Sequence, residues 1–208
     1  LPEGVIYFED FENQTDATVG NIITNRTWSK PFVSTTEAAT GTKSLGIYAM
    51  YEYMFIPMDK ALFEEGVIYE YSMDWKLKEY TADKKRTMSS FKFVGYNPSA
   101  GEVIKTDAKS LAYLEEMKGT GDWVNSTLRL RISDLDAYEQ YGIMIRYGTS
   151  TPYAEAEDTL YIDNILLKKA EDQSVLNPIN IKEEARTENT IKVLAFGNSF
   201  SNDATTLI

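Results

Sequence analysis

Residues 67–77 alternate along their length: Val67, Tyr69, Tyr71, Met73, Trp75 and Leu77 form one set, and Ile68, Glu70, Ser72, Asp74 and Lys76, all but the first polar, stand between them. Successive side chains of a strand point to opposite faces, so this pattern predicts a strand with one buried and one solvated face. Residues 127–133 repeat it, with Leu128, Leu130 and Ile132 set against Arg129 and Arg131, and residues 142–147 do so through Ile143, Ile145 and Tyr147. One-sided strands of this kind belong to antiparallel sheets. Further strands are expected at residues 5–11, 44–50, 53–57, 88–94 and 160–167, separated by turn sequences such as Thr40-Gly41-Thr42-Lys43 and Asn97-Pro98-Ser99-Ala100-Gly101. About eight such strands predict an all-β chain, an antiparallel β-sandwich of jelly-roll type.

Residues 107–117 carry apolar positions at mixed spacing and are read either as one short helix or as a strand pair. After Lys169 the chain turns polar and aperiodic. The expected organisation is therefore a sandwich over residues 1–169, a linker over 170–190 and the start of a different domain over 191–208.

Charge and missing residue types exclude whole classes of function. With 32 acidic against 21 basic residues the chain carries a formal charge of −11, a field that repels nucleic-acid phosphates and anionic membrane surfaces. No apolar run approaches the roughly 20 residues of a membrane span. There is no cysteine, hence neither a disulfide framework nor a thiolate metal site, and no histidine, hence no imidazole base or ligand. The pairs Glu115-Glu116 and Glu155 to Asp158 read as solvated acids. In contrast, 14 tyrosines, 9 phenylalanines and 3 tryptophans supply rings for strands and for stacking on sugar faces.

Several short motifs carry a family likeness. Phe8-Glu9-Asp10-Phe11-Glu12, Gly41-Thr42-Lys43-Ser44-Leu45, Trp123 ahead of a strand and Tyr161-Ile162-Asp163-Asn164-Ile165 occur in the order and spacing found in jelly-roll carbohydrate-binding modules, which residues 4–168 resemble. The resemblance implies a galactose-binding-like sandwich and a structural calcium ion joining the two chain ends. Its ligands would be Glu12, Gly41, Lys43 and Asp163, with Asp10 as an alternative to Glu12; a hard cation needs six to eight oxygens, and carboxylates of first and last strands meet in such a fold. The resemblance also implies carbohydrate as partner. Candidate sugar contacts are Trp28, Tyr51, Tyr53, Tyr138, Tyr141 and Tyr153, whereas Trp75 and Trp123 are expected in the core.

Ile191-Lys192-Val193-Leu194-Ala195-Phe196 is a nearly continuous apolar run, the mark of a strand covered on both faces. Gly197-Asn198-Ser199-Phe200-Ser201 follows, and this strand, glycine turn and serine resemble the first block of the SGNH (GDSL-like) hydrolases. The resemblance implies that Ser199 is a nucleophile, activated only where a later Asp-x-x-His pair completes the site. Asn198 departs from the more common aspartate of that block. Residues 191–196 are further expected to pair with their own sandwich or with another chain. The expected function is a non-catalytic accessory module, carbohydrate-binding, in an extracytoplasmic glycan-processing protein. The alternatives are a serine esterase or deacetylase in a longer parent, and a spacer domain without ligand.

Overall fold

The computed structural model describes residues 3–19, 22–24, 31–48, 53–81, 87–114, 117–148 and 159–174. They form two six-stranded sheets packed face to face. The strands are β1 (Val5–Glu9), β2 (Ile23–Thr24), β3 (Phe32–Ser34), β4 (Ser44–Ile47), β5 (Met54–Met58), β6 (Ile68–Lys76), β7 (Thr87–Tyr96), β8 (Lys109–Leu114), β9 (Met117–Lys118), β10 (Trp123–Arg131), β11 (Gln140–Gly148) and β12 (Leu160–Lys169). The two α-helices among the described residues, α1 (Asp16–Val19) and α2 (Ile104–Asp107), are single turns. Neither is long and apolar enough to cross a membrane.

The first sheet runs β10-β6-β12-β4-β3, with β1 also on β12; the second runs β2-β5-β11-β7-β8, with β9 also on β7. Every pairing is antiparallel. All eight expected strands are present. Two short strands outside the expected set, β2 and β3, are pieces of two and three residues that carry too few alternations to register. The undecided stretch 107–117 is the end of α2, then β8, then the start of β9.

The first sheet follows the alternation closely. Tyr69, Tyr71, Met73 and Trp75 of β6 point inward opposite Leu130, Leu128, Ser126 and Val124 of β10. On the outer side Glu70 faces Arg129 and joins it at 3.3 Å, while Lys168 approaches the same carboxylate at 3.2 Å, so opposite charges are paired across strands at this point. Trp75 is a core residue, as expected, and its indole N–H donates to Ser126 Oγ at 2.8 Å. Trp123 is not: it is half-exposed at the start of β10.

Facing it across the core, Met54, Ile56 and Met58 of β5, Tyr141, Ile143 and Ile145 of β11, and Phe91 and Phe93 of β7 close the sandwich. Phe63 follows a 3-10 turn capped by Asp59, whose carboxylate accepts from the Ala61 N–H at 2.9 Å. Its ring lies 5.3 Å from Tyr69 and 5.4 Å from Phe93, both edge-on, and so ties one sheet to the other. Each such fully buried large side chain contributes roughly 1.5–3 kcal/mol.

The sandwich continues beyond β12. Ala170 is buried and its N–H donates to Ile68 O at 2.9 Å. The Gln173 carboxamide accepts from the Ile68 N–H and donates to Ile68 O and Ala170 O. Thus the first residues of the polar stretch 170–190 are tied to the edge of β6. Residues 191–208, with Ser199, lie outside the described residues.

Gly142 of β11 holds the second sheet's outer side to close tolerance. A Cβ there would meet Ile56 O at 2.4 Å and the Phe55 ring at 2.5 Å, one of them backbone that has nowhere to go. Gly142→Ala is expected to lower the unfolding free energy by about 2 kcal/mol in a urea titration; a loss below about 0.5 kcal/mol, the scale of an uninvolved surface change, would show that the Phe55 ring is free to move aside.

Candidate functional site

A sandwich sheet ordinarily turns one face to the core and a polar face to water. The second sheet does not. Phe55 of β5, Met144 of β11, and Val94 and Tyr96 of β7 point away from the core and are buried nonetheless, together with Tyr53 and Ile104. The Phe55 ring lies against Gly142 and meets Tyr96 edge-on at 5.4 Å. The Tyr96 hydroxyl donates to Gln140 Oε1, and burial, with Tyr53 nearby, raises its pKa.

Ile104 reaches this cluster from α2. The connection from β7 turns at Asn97 to Gly101, where Gly101 adopts φ +78°, and the Glu102 carboxylate accepts the Asn97 N–H at 2.6 Å. Asp107 accepts the Val103 N–H at 2.7 Å and holds the single turn closed.

Toward the β8 edge the same face opens to solvent. Tyr113 of β8 is 63% exposed and lies directly across from Lys92 of β7, which in turn lies across from Met144 of β11. Directly opposed residues have their Cβ atoms about 5 Å apart, within reach of an aromatic and a long side chain. Arg146, two residues beyond Met144, extends the face along β11 and is exposed. Tyr113, Lys92 and Arg146 thus set one solvent-facing ring and two basic residues on the outer face, beside the buried Met144 and the sealed aromatic cluster. Such a surface stacks an apolar sugar face and hydrogen-bonds its hydroxyls.

The rings singled out from sequence are placed differently. Tyr141 is fully buried between the sheets, its hydroxyl donating to Asp134 O and Leu135 O at 3.1 and 3.0 Å. Tyr138 packs on the core side, over Gly95 and edge-on to Tyr141 at 5.9 Å. Tyr53 belongs to the sealed cluster. None of the three is an open platform, because ring content says nothing about which face a residue takes. Trp28, Tyr51 and Tyr153 lie outside the described residues.

Tyr113 and Lys92 were missed. In β8, Leu111 falls at a register shift opposite Phe93 and Val94, and the extra residue breaks the alternation by which Tyr113 would have been read as outward-facing.

The four residues expected to bind calcium do meet, around the loop 39–43. At Asp163 and Asn164 strand β12 has one residue too many against β6, Asn164 takes φ +48°, and β12 changes neighbour from β4 to β1. The gap left there is filled by the loop. Asp163 Oδ2 accepts the Ala39 and Thr40 N–H groups at 2.9 and 3.1 Å, and Oδ1 accepts that of Asn164 at 2.8 Å. Glu12 Oε1 accepts the Thr42 and Lys43 N–H groups at 2.6 and 2.7 Å, and Oε2 accepts the Thr42 hydroxyl at 2.8 Å. These donors hold the Glu12 carboxyl below its usual range, whereas burial pushes that of Asp163 up.

This donor set does not fit calcium. The ion needs six to eight oxygens, but the loop turns N–H groups toward both carboxylates. The cation beside Glu12 is the Lys43 ammonium, which donates to Glu12 O at 2.8 Å and Gln14 O at 3.3 Å. Asp10 accepts the Glu12 N–H at 3.2 Å as a turn residue. Among the described residues no three acidic side chains are grouped to hold a metal.

No family model matches the sequence, and no curated protein matches it in a sequence search. Solved structures do match. The C-terminal family 22 carbohydrate-binding module of Clostridium thermocellum Xyn10B superposes with a TM-score of 0.55 at 20% identity, over 82% of this chain and 98% of that one. A xylan-binding domain of family 22 gives 0.52 at 20% identity, over 82% and 97%. The first family 22 xylan-binding domain of Paenibacillus barcinonensis Xyn10C gives 0.51 at 17% identity, over 79% and 94%. The chain therefore has the jelly-roll β-sandwich fold of these carbohydrate-binding modules.

The melting temperature is expected to be the same in excess EDTA and in millimolar calcium. An ion at a hundredfold excess over its dissociation constant would stabilise the native state by about 2.7 kcal/mol, or roughly 5–10 °C in a chain of this size. A rise of that order with calcium overturns the metal-free assignment of the Glu12 and Asp163 clasp.

Proposed function

We propose that the sandwich is a non-catalytic carbohydrate-binding module that takes a polysaccharide chain across the outer face of its second sheet. The observation that carries this reading is the exposed Tyr113 ring, set beside Lys92 on a face whose interior is already sealed. A ring in that position has no packing role to explain it, and a pyranose face is its natural complement. The fold supports the same reading, since the similar domains above are described as xylan-binding. A xylan-type β-linked chain is accordingly the first ligand to test.

The module serves an extracytoplasmic glycan-processing protein. Support for that comes from the sequence of residues 191–201, whose apolar run, Gly197 and Ser199 resemble the opening block of an SGNH-type hydrolase. No catalytic step is assigned to the sandwich itself: Glu12 and Asp163 are engaged in hydrogen bonds at the clasp, Glu70 in ion pairs on the first sheet, and the chain has no histidine.

Isothermal titration with xylohexaose and with soluble xylan tests the proposal. Binding is expected in the wild type and is expected to weaken about tenfold in Tyr113→Ala, the loss of roughly 1.4 kcal/mol of stacking, with the circular dichroism unchanged. No binding to any β-linked glycan would instead support a spacer domain, and equal affinity in Tyr113→Ala would move the site off this face.

A further inference from the structure

Resting on the glycan-binding reading, we infer that the polysaccharide taken by this face carries carboxylates, that is, uronic acid residues on or along the chain. The inference begins with an asymmetry between the two sheets. The six strands of the second sheet contain no aspartate and no glutamate, but they contain Lys92, Lys109, Lys118 and Arg146. The strands of the first sheet hold Glu9, Glu70, Asp74 and Asp163. In a chain of 32 acidic and 21 basic residues, a whole sheet without one acid stands against the composition.

How the cations are used differs as well. On the first sheet four of the five strand cations are matched by acids of this chain, the exposed Arg131 being the exception: Lys76 pairs with Glu37 at 2.8 Å, Arg129 and Lys168 with Glu70, and Lys169 with Glu64 at 2.6 Å. On the second sheet, Lys92 has neither an ion pair nor a hydrogen bond to any of the described residues, although it is half-buried in the middle of the face between Met144 and Tyr113. Holding a lysine there costs side-chain freedom and partial desolvation with no internal return. Arg146 stands diagonally across from it, two residues beyond Met144 on β11.

The geometry points to an anion delivered with a sugar. A pyranose stacked on Tyr113 projects its substituents sideways, over the neighbouring position occupied by Lys92. A hydroxyl there is served equally well by an amide or a hydroxyl side chain; a carboxylate gains a charge-assisted bond. The surroundings make that bond count, because the floor of the face is apolar and no acid on the sheet competes for the ammonium. The net charge of −11 opposes polyanions overall, so basic residues on a sheet without acids favour one orientation of an anionic chain as well as adding affinity.

The test compares two xylooligosaccharides of equal length, one linear and one bearing a single 4-O-methylglucuronate branch, by isothermal titration at low and high salt. The branched ligand is expected to bind about tenfold tighter at 20 mM NaCl, and most of that advantage is expected to vanish at 1 M NaCl, where screening acts over about 3 Å. Lys92→Gln should bring the two affinities together and Lys92→Arg should keep them apart; matching melting temperatures exclude misfolding as the cause. Equal affinities for both ligands in the wild type, or a preference that survives in Lys92→Gln, overturns the uronate inference while leaving glycan binding in place. Failure to bind either ligand overturns both.

Discussion

The second sheet has to bury side chains on both of its faces, and much of the molecule is arranged around that requirement. Its inner face meets the first sheet through Met54, Ile56, Ile143, Ile145, Phe91 and Phe93. Its outer face carries Phe55, Val94, Tyr96 and Met144, which need a cover of their own, supplied in part by Ile104 from α2. This is why residues 141–145 of β11 are all buried, with Gly142 kept free of a side chain to admit the Phe55 ring. A sheet stiffened from both sides is a suitable base for a binding face, since Tyr113 and Lys92 then project from strands whose register is held by packing rather than by loops.

The first sheet solves a different problem, that of joining the chain ends. Strand β12 pairs with β4 over its first residues and with β1 over its last, and the change of partner leaves backbone groups of the loop 39–43 in need of acceptors. Asp163 supplies them from the last strand of the sandwich and Glu12 from the segment after the first, and the Lys43 ammonium returns the charge to Glu12 O and Gln14 O. The clasp therefore does by hydrogen bonds what a bound cation does in an oxygen cage: it holds first strand, loop and last strand together.

Legibility in the sequence followed this division. Strands β6 and β10 were plain, because one polar and one apolar face give a period of two. The second sheet was harder: in β5 only Pro57 is exposed, in β11 the alternation is overwritten by Met144, and in β8 it is broken at Leu111. The proposed binding face includes Tyr113, which follows the break at Leu111, whereas Tyr138 and Tyr141, inward-facing, drew attention through their rings alone. At the clasp the residues were found but their chemistry was not. The resemblance to jelly-roll modules implies that Glu12, Gly41, Lys43 and Asp163 meet; whether the loop offers them carbonyls or N–H groups depends on backbone direction, which no residue identity reveals.

The central claim is that the outer face of the second sheet, not the clasp or the first sheet, meets the ligand. Amide chemical-shift mapping on titration with xylohexaose tests it most directly. The account predicts shifts concentrated at Lys92, Tyr113, Met144 and Arg146, with residues 68–76 and 123–131 unmoved. Shifts concentrated on β6 and β10, or around Glu12 and residues 39–43, would contradict it.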